Sequence, residues 1–111
     1  MLIVLLDEPG LFVYPSLEAA QADIEPLDAE SEVRAAFDEH AVPYRVEWIR
    51  PNRTRKLFGL FGVVSFGSYR WVAAGPPDPT ALIQLIEQHP STNPPAARAE
   101  LTALLPKLRA V

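Results

Sequence analysis

The chain has 111 residues, 49% of them hydrophobic and 22% charged, with a net charge of −4 and no cysteine. At this length folding removes roughly two thirds of the unfolded surface from water, so the composition supports a core and excludes a disordered tail. The missing thiols exclude disulfides, thiolate metal sites and a cysteine nucleophile. Residues 1–47 carry eleven acids against Arg34 and Arg45, a balance of −9, and residues 48–111 carry eight bases against Asp78, Glu87 and Glu100, a balance of +5. That division disfavours a general nucleic-acid binder.

Met1-Leu2-Ile3-Val4-Leu5-Leu6 lacks a basic start and stops at Asp7, too short for a secretion signal. No run approaches the ~20 residues of a membrane span. The expectation is a cytoplasmic protein of one domain, residues 1–111, with no membrane contact. Apolar at every position, Leu2 to Leu6 suits a strand covered on both faces. Glu8-Pro9-Gly10-Leu11 places Pro and Gly where a type II turn takes them, and Leu11 to Tyr14 reads as a second short strand. Ser16 then supplies an N-cap, Leu17, Ala20, Ile24 and Leu27 recur at near-helical spacing, and Pro26 is expected to end that helix.

Beyond it the period changes to two. Val33, Ala35 and Phe37, then Tyr44, Val46 and Trp48, predict a hairpin across the polar residues 38–41. A second hairpin is predicted from Phe61–Phe66 and Tyr69–Ala74, with Gly67-Ser68 as a type II′ turn. Asp78-Pro79 gives an N-cap with proline at the first helical position, ahead of the stripe Leu82, Leu85 and Ile86, and this helix must stop before Pro90. Asn93-Pro94-Pro95 repeats the capping logic before Ala97, Leu101, Leu104, Leu105 and Leu108, and Pro106 predicts a kink or a frayed last turn. The fold class is therefore α+β: an antiparallel sheet of four to six strands built from hairpins, one helix after the N-terminal strands, two C-terminal helices, and the helices on one side of the sheet.

Chemistry is sparse. His40 reads as a solvated turn residue and His89 as a helix-terminal one, and neither has metal-ligand spacing. No serine stands in a nucleophile elbow, and Gly59-Leu60-Phe61-Gly62 lacks the lysine and helix of a phosphate loop. Asp28, Glu30 and Glu32 at i, i+2 and i+4 would share one strand face, continued by Arg34. That spacing is one way to build an acid pair or a hard-cation site, but beside Arg45 and Glu47 it reads as a mixed, solvated sheet surface.

The most unusual segment is Arg50-Pro51-Asn52-Arg53-Thr54-Arg55-Lys56, four cations in seven residues, followed by Leu57-Phe58-Gly59-Leu60-Phe61. Two readings fit it. It is a loop that grips an acidic or phosphate-bearing partner through arginine forks and buried aromatic area, or a solvated loop leading into an apolar strand. The candidate partner contacts are Arg50, Arg53, Arg55, Lys56 and Phe58, together with Glu30 and Glu32. No catalytic group, metal or cofactor is called for.

Taken as a whole, the chain resembles the small immunity proteins that bacteria encode beside polymorphic or contact-dependent toxins. The features that carry the likeness are the short opening strand, the helix Ser16-Leu17-Glu18-Ala19-Ala20, the segments Glu32–Asp38 and Tyr44–Trp48, and Tyr69-Arg70-Trp71-Val72 leading into Gly75-Pro76-Pro77-Asp78-Pro79. The resemblance implies a non-catalytic protein that neutralises a cognate protein toxin by stoichiometric binding. The alternative is a small regulatory or accessory module that binds nucleotide or nucleic acid through the basic segment 50–56. An enzyme would need carboxylates brought together from distant segments.

Overall fold

The computed structural model describes residues 1–7, 10–57, 61–65 and 67–111, with 53–57 and 61–65 described by backbone alone. The protein is α+β. Its central sheet has the order β3-β1-β2-β8, where β1 is Leu2–Leu5, β2 Leu11–Tyr14, β3 Ala35–Asp38 and β8 Thr92–Asn93. Strand β1 pairs antiparallel with both neighbours, Leu2 lying opposite Tyr14 on one side and Asp38 on the other. The short β8 joins β2 in parallel. Gly10 permits this approach: its φ is +114°, and a Cβ there would come within 3.2 Å of the Ser91 carbonyl oxygen. That oxygen accepts the Leu11 N–H at 2.9 Å. The type II turn expected at 8–11 lies partly outside the described residues.

Because β1 is apolar at every position, both faces of the sheet need cover, and both have it. Ile3, Leu11, Val13 and Phe37 pack with Leu82, Ile86, Leu101, Leu105 and Leu108 of α3 (Pro79–Gln88) and α4 (Ala97–Arg109). Leu2, Val4, Tyr14 and Ala36 pack with Ala20 of α1 (Leu17–Asp23), Ile24, Ala29 of α2 (Pro26–Ser31), and Tyr69 and Trp71 of β7 (Ser68–Ala73). The expected placement of helices on one side is thereby corrected. No helix among the described residues is long and apolar enough to cross a membrane.

Helix signals read from the sequence fare unevenly. Ser16 Oγ accepts the Ala19 N–H at 3.0 Å and Asp78 Oδ1 accepts the Ala81 N–H at 3.1 Å, so α1 and α3 begin where expected. Pro26, however, starts α2 instead of merely ending α1; at the first helical position its missing N–H costs nothing and its φ is already set. Asp28 and Glu30 therefore lie on a helix and Glu32 is its C-cap, which removes the expected acidic strand face. At α4 the cap is Ala96, with no side-chain bond, and Asn93 lies in β8. The last turn of α4 does not fray: the helix passes through Pro106, and the Pro106 carbonyl accepts the Ala110 N–H at 3.1 Å. Burial of Leu105 and Leu108 holds that turn in place. Arg98 joins the two C-terminal helices by donating from Nη1 to the Ile86 carbonyl at 3.0 Å, at the end of α3.

Neither predicted hairpin forms. Strand β3 meets the segment before β4 (Tyr44–Arg50) in one bridge, Phe37 to Pro43, after which β3 pairs with β1 and β4 with β7. Two features stop the ladder. Pro43 has no N–H to donate, and Asp38 Oδ1 accepts the N–H groups of His40 at 2.8 Å and Val42 at 3.0 Å. Likewise β6 (Phe61–Ser65) pairs with β5 (Arg53–Leu57) and not with β7.

Within the 38–42 turn, Ala41 has φ 63° and is fully buried, its carbonyl accepting the Asp78 N–H at 2.9 Å. A left-handed alanine costs ~1–2 kcal/mol, comparable to the buried methyl and lower chain entropy it contributes. Ala41→Gly is expected to stay within about 1 kcal/mol of the wild-type stability in urea denaturation. Ala41→Val, β-branched at positive φ in a filled site, is expected to lose more than about 2 kcal/mol.

Candidate partner interface

Strands β4 and β5, with β6 and β7 opposite, are two stretches of one antiparallel ribbon. Arg50 lies opposite Ser68 and Arg53 opposite Ser65, so the register is unchanged across the break at Pro51-Asn52. Fourteen residues of extended chain span ~46 Å, and the molecule measures 59 × 27 × 20 Å with a radius of gyration of 16.0 Å, against ~13 Å for a compact chain of this length. The ribbon accounts for the elongation.

Its proximal half belongs to the core. Trp48, Tyr69 and Trp71 stack edge to face, with ring centroids 5.7 and 6.0 Å apart. The Tyr69 hydroxyl donates to the Ile24 carbonyl at the end of α1. On the opposite face Glu47 accepts from Arg70 Nε at 3.0 Å and approaches Arg45 at 3.8 Å. Part of the expected mixed charged surface is therefore present, but Arg34 pairs with Asp7 instead of joining it.

At the break, one side chain replaces the ladder. Asn52 Nδ2 donates to the Pro26 carbonyl at 2.9 Å and to Glu30 Oε2 at 2.7 Å, and Asn52 Oδ1 accepts the Gly67 N–H at 2.7 Å. Both ribbon strands are thus tied to α2. Gly67 must be glycine for this, because a Cβ would overlap the Arg50 carbonyl oxygen and come within 2.7 Å of the Pro51 carbonyl carbon. A register shift between Trp48 and Arg50 leaves Ile49 at 65% exposure beside the exposed Arg50. A bulge re-aims a side chain in this way.

The basic segment expected as a loop is therefore strand. Arg50 ends β4, and Arg53, Arg55 and Lys56 belong to β5, opposite Ser65, Val63 and Gly62. Glu30 comes to the ribbon base through Asn52, whereas Glu32, half-buried, closes α2 with its N–H donated to the Asp28 carbonyl. Phe58 lies outside the described residues. The sequence reading missed Asn52 and Gly67; the available signal was a proline-asparagine pair and a glycine interrupting two otherwise extended segments. His40 lies in the turn, and His89 caps the C-terminus of α3. Among the described residues no three histidines or carboxylates are placed to hold a metal ion.

What these residues define is an α+β scaffold carrying a clamped, cation-rich ribbon with an exposed aliphatic residue at its base. No protein-family model, curated protein or solved structure matches the chain.

Removing the amide in Asn52→Ala leaves the Gly67 N–H and Pro26 carbonyl without their partner and is expected to cost ~1–3 kcal/mol. Gly67→Ala, meeting backbone on both sides, should cost more than Asn52→Ala; thermal unfolding of the two variants checks the order. A third expectation concerns alkaline pH. Burial pushes the Tyr69 phenol up to about 12, helped by the charges of Asp23 and Asp28. Tyr14 is raised too, by burial and then by its hydrogen bond to Asp23. A folded pKa above the unfolded 10.0 means that the stabilisation is complete below pH 10 and is lost as pH climbs through the folded value. Stability measured in urea should therefore hold to about pH 10 and fall between about 10 and 12, less steeply in Tyr69→Phe.

Proposed function

We propose that the protein is a non-catalytic binding protein of the immunity type, acting in the cytoplasm by stoichiometric capture of a cognate protein toxin, with the ribbon as its contact surface. The observation that carries this reading is the ribbon itself. A two-stranded hairpin is marginal in water on its own, yet this one is tied at its base by Asn52 and extends away from the core with four cations in seven residues. Ile49 and Arg50 at the base supply the aliphatic and arginine contacts around which protein interfaces concentrate their binding energy. Glu30, brought alongside, adds an acceptor that fixes orientation.

The cation density also suits a phosphate-bearing partner, and salt separates the two. Phosphate binding through three or four cations weakens steeply with salt, whereas an interface with a buried aliphatic centre retains much of its affinity. The experiment is to purify the tagged protein from its native host and identify what accompanies it by mass spectrometry. Expected is one protein partner in equal amount, bound at least tenfold more weakly at low salt by the triple variant Arg53→Ala, Arg55→Ala, Lys56→Ala. Stoichiometric nucleic acid in place of protein, or unchanged affinity in the triple variant, would overturn the proposal.

A further inference from the structure

The two strands of the distal ribbon have unlike edges. Among the described residues, β5 and β6 form a sheet of two strands, so each keeps one side of its backbone without a ladder partner. The N–H and C=O groups along such an edge are a template for a further strand, and proteins guard it with charge, proline or a bulge. Strand β5 is guarded: Arg53, Arg55 and Lys56 give it three cations in five residues. Strand β6 carries none of these devices. Phe61-Gly62-Val63-Val64-Ser65 has no charge and no proline, and its register against β5 runs through five pairs without a shift. Phenylalanine and the two valines favour extended chain.

Charge narrows what can occupy this edge. A neutral strand meets its own copy with no electrostatic penalty, whereas joining β5 to β5 would set cations against the same cations. Pairing β6 with β5 of another copy would leave an edge of each kind free and would repeat without closing. Pairing β6 with β6 closes after two copies. It leaves a cationic β5 on each outer edge, which stops further growth, and it turns a ribbon of two strands into a sheet of four, past the three that a sheet away from a core requires.

We propose that β6 pairs antiparallel with β6 of a second copy of this chain across a two-fold axis. Using all five residues centres the axis on Val63, so that Val63 of each copy faces the other, Phe61 faces Ser65 and Gly62 faces Val64. The two bodies then stand at opposite ends of the four-stranded sheet. The cations on its outer strands remain accessible to the partner proposed above, and the pairing does not rest on what that partner is.

Because the chain has no cysteine, single-cysteine variants read the register directly. Facing residues of an antiparallel pair have Cα atoms about 4.5–5.5 Å apart, within reach of a disulfide, whereas the two copies of Val64 would be offset by two residues and stand roughly 8 Å apart, beyond it. The test is sedimentation equilibrium of the full chain, together with oxidation of Val63→Cys and Val64→Cys. Expected are a mass of two chains, crosslinking at least tenfold faster in Val63→Cys than in Val64→Cys, and association at least tenfold weaker in Val63→Glu, where two carboxylates meet at the axis. Within one copy that substitution faces Arg55, a favourable cross-strand pair, so far-UV circular dichroism should be unchanged. Mixing Val63→Glu with Val63→Lys should restore association as a heterodimer. A monomer at every concentration, a dimer indifferent to Val63→Glu, no heterodimer on mixing, or equal crosslinking at the two positions would overturn the proposal.

Discussion

Strand β1 is the constraint on which the rest depends. Leu2, Ile3 and Val4 are fully buried, and each side chain removed from water contributes ~1.5–3 kcal/mol. Strand alternation divides them: Leu2 and Val4 enter the cluster shared with α1, α2 and the ribbon, while Ile3 enters the one shared with α3 and α4. Four residues thereby specify two cores. Neither half of the molecule can be removed without exposing one face of the strand that supports the other.

The division also organises the rest of the chain: the ribbon grows from the cluster that contains Tyr69 and Trp71, and α4 supplies Leu101, Leu105 and Leu108 to the opposite cluster. On the ribbon side, Trp71 Nε1 is buried and meets no hydrogen-bond partner among the described residues. Leaving such a donor unmet costs ~1–3 kcal/mol, offset here by the edge-to-face packing that holds the indole against Tyr69.

Elements were legible in the sequence where the signal was local. Ser16 and Asp78 cap their helices as residue type and spacing indicate, the all-apolar opening is a two-faced strand, and the stripe of α4 is buried at Ala97, Leu101, Leu105 and Leu108. Strand pairing was not legible, because it is decided by which edge needs a partner. Chain proximity favoured β3 with β4, but β1 had an open edge and an apolar face that β3 completes. Pro26 was read as a stop because a proline ends one helix and begins another with equal local logic; only Ala29, packed in the core, distinguishes α2 from a strand. The cations were found by composition alone. Their support was hidden, since Asn52 and Gly67 are fifteen residues apart and their relation appears only when the two strands are in register.

That register changes what the cations can do. A loop carrying Arg53, Arg55 and Lys56 would lose backbone freedom on meeting a partner, at ~1–2 kcal/mol for each residue fixed. In β5 the backbone is already ordered by β6, and Asn52 relates that order to α2. On the binding reading proposed above, less of the contact energy would then be consumed by ordering the chain, so a modest set of contacts would yield tighter binding. The same logic accounts for a rigid glycine at the break: a side chain at Gly67 would force the two strands apart at the point where the ribbon leaves the core, and the cationic strand would lose the orientation that the buried half of the ribbon gives it.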